Sequence, residues 1–130
     1  MITSISGFPN LCCKSLTAVN FCGVTSIGGF LSRWNNQLTS ITFGSLTSIG
    51  GYLNLSGNLL TNITFGSLTS IGGDLYLEYN QLTSITFPAN LTSLAITSSI
   101  IVCNNPGAAS LLASCQARYG TSKCDPRTSC

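Results

Sequence analysis

Residues 41–84 consist of one 22-residue phrase written twice, ITFGSLTSIGGYLNLSGNLLTN and then ITFGSLTSIGGDLYLEYNQLTS. Self-similarity at a fixed period of roughly 20–29 residues marks a solenoid, because one such unit cannot bury its own apolar side chains and must stack on a neighbour. The register extends beyond the two copies, from Val19 through Phe87. Phe21, Phe43, Phe65 and Phe87 form one column, and Ile27, Ile49 and Ile71 a second. Leu31, Leu53 and Leu75 form a third, and Leu38, Leu60 and Leu82 a fourth. Coils stacked at strand spacing, roughly 4.8 Å, turn each column into a continuous apolar ladder. Asn36, Asn58, Asn80 and Asn105 make a polar column among them. An Asn recurring amid Leu is expected to point inward and to satisfy backbone groups at a bend through its amide.

The pattern divides the chain into three segments. Residues 1–18 form a cysteine-containing cap with a partial repeat, 19–105 the solenoid in about four to five coils, and 106–130 a helical, cysteine-rich cap. Within each coil the Leu-x-Leu phrase makes a short strand, so parallel strands build a sheet on that face. The pairs Gly28-Gly29, Gly50-Gly51 and Gly72-Gly73 precede it, where the backbone needs either positive φ or close approach. The far side has no room for a long helix and is expected to be extended or 3₁₀-like. Asn105-Pro106 has the form of an N-cap and first helical position. Ala108 to Arg118 then carries Leu111, Leu112, Cys115 and, just beyond, Tyr119 at helical spacing, with Gly120 as a stop. This helix is expected to lie over the open end of the stack.

The seven cysteines fall at the two ends: Cys12, Cys13 and Cys22 before the clean repeats, and Cys103, Cys115, Cys124 and Cys130 after them. That clustering suits disulfide-stapled caps and an oxidising, extracellular or cell-surface location. An odd count leaves one thiol for an intermolecular bridge or a buried free position. With no His and no Cys-x-x-Cys, a metal site is not expected. Residues 1–10 lack a basic region and an apolar run, so no secretory leader is legible and the chain reads as mature or truncated. No apolar run is long enough to span a membrane. Charged residues are 6% of the chain with a net charge of +2, too few for an electrostatic nucleic-acid surface.

Leu75-x-Leu77-x-x-Asn80-x-Leu82, repeated as Leu53-x-Leu55-x-x-Asn58-x-Leu60, is similar to the core phrase of leucine-rich repeats. The Ile-Gly-Gly-x-Leu-x-Leu form at Ile49–Leu55 and Ile71–Leu77 looks like the receptor L-domain variety seen in extracellular and microbial surface proteins. The resemblance covers roughly residues 16–105. It implies a right-handed coil whose strand face carries a ligand. The first copy departs from the pattern: Arg33 stands in the column of Leu55 and Leu77, so either the local register shifts there or its side chain escapes at the capped edge.

Strand parity sends Phe30, Tyr52 and Asp74 outward in one column, Ser32, Asn54 and Tyr76 in the next, and Trp34, Ser56 and Glu78 in a third, with Tyr79 nearby. Aromatic residues repeated on an exposed sheet with few charges suggest an interaction surface, and Trp and Tyr are the usual anchors of interfaces. Phe30, Trp34, Tyr52, Asn54, Asp74, Tyr76, Glu78 and Tyr79 are therefore the candidate binding residues. No catalytic residue is expected. Asp74 and Glu78, the one nearby carboxylate pair, have Cα atoms on the order of 13 Å apart at strand rise, whereas glycosidase carboxyl groups lie roughly 5–9.5 Å apart. Asn54-Leu-Ser, Asn62-Ile-Thr and Asn90-Leu-Thr are glycosylation sequons, with Asn62, expected at a coil bend, the best acceptor, Asn90 next, and Asn54 the poorest, since it sits in the middle of the candidate binding face.

These features predict a non-catalytic extracellular module, without cofactors, that binds a protein or glycan through its strand face. The alternative is a structural subunit of a filament, wall or surface layer that self-associates through flat Ser/Thr faces and an odd cysteine. A third reading uses the Thr columns (Thr25, Thr47 and Thr69; Thr39, Thr61 and Thr83; Thr42, Thr64 and Thr86) to bind ice or another ordered surface.

Overall fold

The computed structural model describes residues 4–5, 17–21, 23–86, 93–94, 99–119 and 124. It is a parallel β-solenoid of about 3 complete turns at ~22 residues per turn, with partial turns at either end. Each turn crosses three short sheets. The first face stacks Ser4–Ile5, Ser26–Ile27, Ser48–Ile49, Ser70–Ile71 and Ser93–Leu94. The second stacks Leu31–Ser32, Leu53–Asn54, Leu75–Tyr76 and Ile100–Ile101. The third pairs Ala18–Asn20 with Ser40–Thr42 and Asn62–Thr64 with Ser84–Thr86, the two pairs lying against each other. The sheet expected on the Leu-x-Leu face is therefore present, and the far side is extended and forms one five-stranded and two two-stranded sheets of its own.

Register follows the columns. Ile27 pairs with Ile49 and Ile49 with Ile71, while Leu31 pairs with Leu53 and Leu53 with Leu75. After the third coil the period lengthens, so that Leu75 pairs with Ile100. Every described member of the four apolar columns is buried. Phe43 stacks on both neighbours, with ring centroids 6.2 Å from Phe21 and 5.6 Å from Phe65. Phe87 lies outside the described residues.

The Asn column points inward as expected and stitches successive coils together. Asn80 donates through Nδ2 to the carbonyls of Leu77, 3.1 Å away in its own coil, and of Leu55, 2.9 Å away in the coil before. Its Oδ1 accepts from the backbone N–H of Leu60 at 3.1 Å. Asn58 and Asn105 repeat the arrangement on Leu38 and Leu82. At a bend where the backbone cannot pair regularly, one side chain per coil satisfies these buried groups.

The Gly-Gly pairs mark a different bend, between the first and second faces. The reason for glycine there is close approach: none of these glycines has positive φ. A Cβ on Gly72 would overlap the carbonyl oxygen of Gly50, and one on Gly50 that of Gly28.

The C-terminal helix runs from Ala108 to Tyr119 and buries Leu111 and Cys115. It lies against Ser84–Thr86, the last described strand of the third face. A Cys115–Cys124 disulfide ties it to the tail, and Cys124 bridges to Ile100 at the edge of the second sheet. Cys103 is also disulfide-bonded. Cys12, Cys13, Cys22 and Cys130 lie outside the described residues, as does most of the cap over 1–18. The N-cap expected at Asn105 is not formed. Its Oδ1 accepts from Leu82 N–H at 2.9 Å and its amide donates to the carbonyls of Leu77 and Val102, so the helix begins after a turn at 106–107.

Arg33 corrects a second expectation. It stays in the column of Leu55 and Leu77 without loss of register, and it is buried at 5% exposure instead of escaping at the edge. Its guanidinium sits 5.7 Å from the Phe21 ring centroid and donates from Nη1 to the Ser32 carbonyl at 2.9 Å. Burial lowers its pKa below the ordinary guanidinium value.

Candidate interaction face

The second face is a rigid rack for outward side chains. Alternation along each strand turns Leu53, Leu55, Leu75 and Leu77 into the core, which leaves Tyr52, Asn54, Ser56, Asp74, Tyr76 and Glu78 on the outside. The backbone carbonyl of each of these six outward residues accepts a hydrogen bond from the coil before it, at 2.8–3.1 Å. Their Cα positions are thus fixed by the stacking that builds the fold.

The structure brings together four of the candidate residues. The rings of Phe30 and Tyr52 stack with centroids 4.6 Å apart and planes inclined by 6°. Tyr76 meets Tyr52 edge-on at 5.9 Å. The Tyr76 hydroxyl donates to Asp74 Oδ2 at 3.0 Å, and Asp74 Oδ1 accepts from the Ser99 N–H at 2.7 Å. Burial foremost, then the Asp74 hydrogen bond and the charges of Asp74 and Glu78, raise the Tyr76 pKa above 10.0. Asn54 is held apart from this group: its Oδ1 accepts from both the N–H and the hydroxyl of Ser56.

One outward column is closed at both ends and another at its last coil. In the outward column of Asn54 and Tyr76, Ser32 is 1% exposed and Ile101 is 9% exposed. Cys103, in the column of Trp34, Ser56 and Glu78, is 4% exposed. In the Asn54–Tyr76 column only the middle coils are open, whereas Trp34 of the first coil is exposed.

Trp34 and Tyr79 stand farther along, where the second face turns toward the third, and there the structure adds a residue that sequence parity misses. Trp34 (40% exposed), Leu59 (46%) and Tyr79 (51%) are the exposed large hydrophobics among the described residues. They come from three consecutive coils and fall within four neighbouring columns at one corner. The sequence signal for Leu59 is a lone apolar residue in a column whose other members are Gln37 and Gln81. Backbone geometry singles out the same corner. Asn35, Gly57, Tyr79 and Asn104 form a column in which every residue has positive φ, at 53°, 68°, 56° and 55°. Gly suits that conformation and Asn tolerates it, whereas a bulky Tyr is strained there.

The described residues contain no group of three or more His, Cys, Asp and Glu that could hold a metal ion. No described helix is long and apolar enough to cross a membrane. Compared with family models, with curated proteins and with solved structures, the chain matches none.

Proposed function

We propose that this chain is a non-catalytic extracellular binding module of the leucine-rich-repeat type, which holds a protein partner against the second face and its adjoining corner. The observation that carries this reading is the gathering of Trp34, Leu59 and Tyr79 at one corner. Large apolar side chains exposed together, beside half-buried aromatics and a few polar groups, are the composition of an interface centre. Phe30 and Tyr52 stack on one another, so each covers one face of the other's ring, and Tyr76 meets Tyr52 edge-on. That favours a protein over a sugar seated on an open ring face. The inward Asn ladder and the Leu-x-Leu-x-x-Asn-x-Leu phrase support the leucine-rich-repeat affinity. The Cys115–Cys124 disulfide fits an oxidising compartment.

The test is differential capture from the extracellular fraction of the natural source, comparing the wild-type chain with W34A/L59A/Y79A and with the third-face variant T42A/T86A. A partner retained by wild type and T42A/T86A but lost by the corner variant is the expected result. Concentration-dependent self-association in sedimentation, abolished by the third-face variant alone, would instead make the chain a structural building block.

A further inference from the structure

We propose that Asn62 is an N-glycosylation acceptor, that Asn54 is not, and that the third face is therefore a sugar-bearing solvent face. All three residues of the sequon Asn62-Ile63-Thr64 lie in one strand. Ile63 turns inward at 2% exposure, and Asn62 and Thr64 both project outward and are exposed. This corrects the placement of Asn62 at a coil bend. Its column neighbours in the adjoining coils are the exposed Ser40 and Ser84, and those of Thr64 are the exposed Thr42 and Thr86. These neighbouring side chains are all short and exposed, which leaves the acceptor amide open to solvent.

Asn54 has the same triplet pattern in the opposite setting. It is half-buried beside Tyr76 in its column. Its amide oxygen accepts from Ser56 N–H at 3.0 Å and from the Ser56 hydroxyl at 2.6 Å, which occupies the sequon hydroxyl as well. A sugar there would have to stand among the packed side chains of the second face. Asn90 lies outside the described residues.

The reaction consumes a polyprenyl-diphosphate-linked oligosaccharide and requires the host's oligosaccharyl transferase. The Asn62 amide nitrogen forms a bond to the anomeric carbon. The bond from that carbon to the diphosphate oxygen breaks, the lipid diphosphate leaves with the electron pair, and the nitrogen yields one proton. The product carries its glycan on the third face, which then cannot pack flat against a second copy.

The full chain secreted from a eukaryotic cell line tests this. Peptide-N-glycosidase digestion in heavy-oxygen water converts an occupied Asn to labelled Asp, and peptide mapping then finds the site. Label at Asn62 in the great majority of molecules, with none at Asn54, is expected. N62S, which installs the residue that the neighbouring coils carry, and T64A, which removes the sequon from its other end, should each lose one glycan and keep the wild-type circular dichroism melt. Unlabelled Asn62 in the secreted, folded chain, or label at Asn54, overturns the assignment.

Discussion

On the third face the outward positions hardly change from coil to coil; on the second they change at every coil. The third face reads Ser40, Asn62 and Ser84 in one column and Thr42, Thr64 and Thr86 in the next. The second reads Phe30, Tyr52 and Asp74, then Ser32, Asn54 and Tyr76, then Trp34, Ser56 and Glu78. Both are built of parallel strands paired on the same coils, so the backbone scaffold does not account for the difference. Inward columns are fixed because each residue must match the one stacked on it. Outward positions carry no such constraint, and the second face is where this chain departs from repetition. The information is held in the departures from the repeat, on a frame held constant by the repeat itself.

The comparison breaks if the frame is not what holds the two faces together. Asn80→Ala removes the acceptor of the buried Leu60 N–H and one donor to each of the Leu55 and Leu77 carbonyls. Orphaning a buried donor costs about 1–3 kcal/mol, so with the weakened carbonyls a loss of about 3 kcal/mol is expected. Urea denaturation beside Thr64→Ala, where a surface change of under about 0.5 kcal/mol is expected, measures the contrast. Equal midpoints for the two variants would mean that the Asn column does not staple the coils.

Gly72→Ala ranks next. The added methyl must push against the Gly50 carbonyl, and overpacking of this kind costs about 1–3 kcal/mol. Gly57→Ala meets open contacts but keeps φ at 68°, and should cost about 1 kcal/mol. If the two are indistinguishable by denaturation, close coil approach is not the reason for the Gly-Gly pairs.

These two positions also show what the sequence could and could not disclose. The Asn and Leu columns were legible because stacking repeats one chemical environment at a fixed interval, so identity itself signals the inward direction. The Gly-Gly pairs were legible as special, but φ and close approach leave the same mark on a sequence. Arg33 was legible as an exception, yet its burial against Phe21 depends on the space that a first coil leaves, which no periodicity encodes. Asn105 met two valid local rules, N-cap and ladder member, and the ladder prevailed because its amide answers three backbone groups in the core. On the candidate face, parity gave the outward residues, but it could not reveal that Ser32 and Ile101 are covered or that Leu59 joins Trp34 and Tyr79 at a corner.

Tyr79 sharpens the comparison, because there stability and binding should move in opposite directions. Replacing it by Gly, the residue that Gly57 supplies in the same column, relieves the left-handed backbone and should stabilise the fold by about 1 kcal/mol. The same change removes the most exposed aromatic of the corner and should weaken partner capture. Thermal melts and the capture experiment are read on one sample. A variant that is both less stable and fully competent in capture would remove Tyr79 from the proposed surface.

The smallest effect expected is a pH dependence confined to the second face. The Tyr76 phenol is held above 10.0 by burial first, then by its hydrogen bond to Asp74 and by the nearby carboxylate charges. The folded state therefore keeps this proton more tightly than the unfolded chain does. Its contribution to stability is fully present below pH 10.0 and is lost as pH rises through the raised folded value. Phenolate absorbance, taken as the difference between wild type and Tyr76→Phe, isolates this group from the other three tyrosines of the four. In Asp74→Asn the titration should move back toward the ordinary value without reaching it, because burial, the larger cause, remains. The third face has no ionisable side chain among its strand residues, so Thr64→Ala should leave the alkaline limb of stability unchanged. An Asp74→Asn titration superimposable on wild type would show that the Tyr76–Asp74 contact does not order this face in solution, and would leave its aromatic cluster without the polar anchor that fixes it.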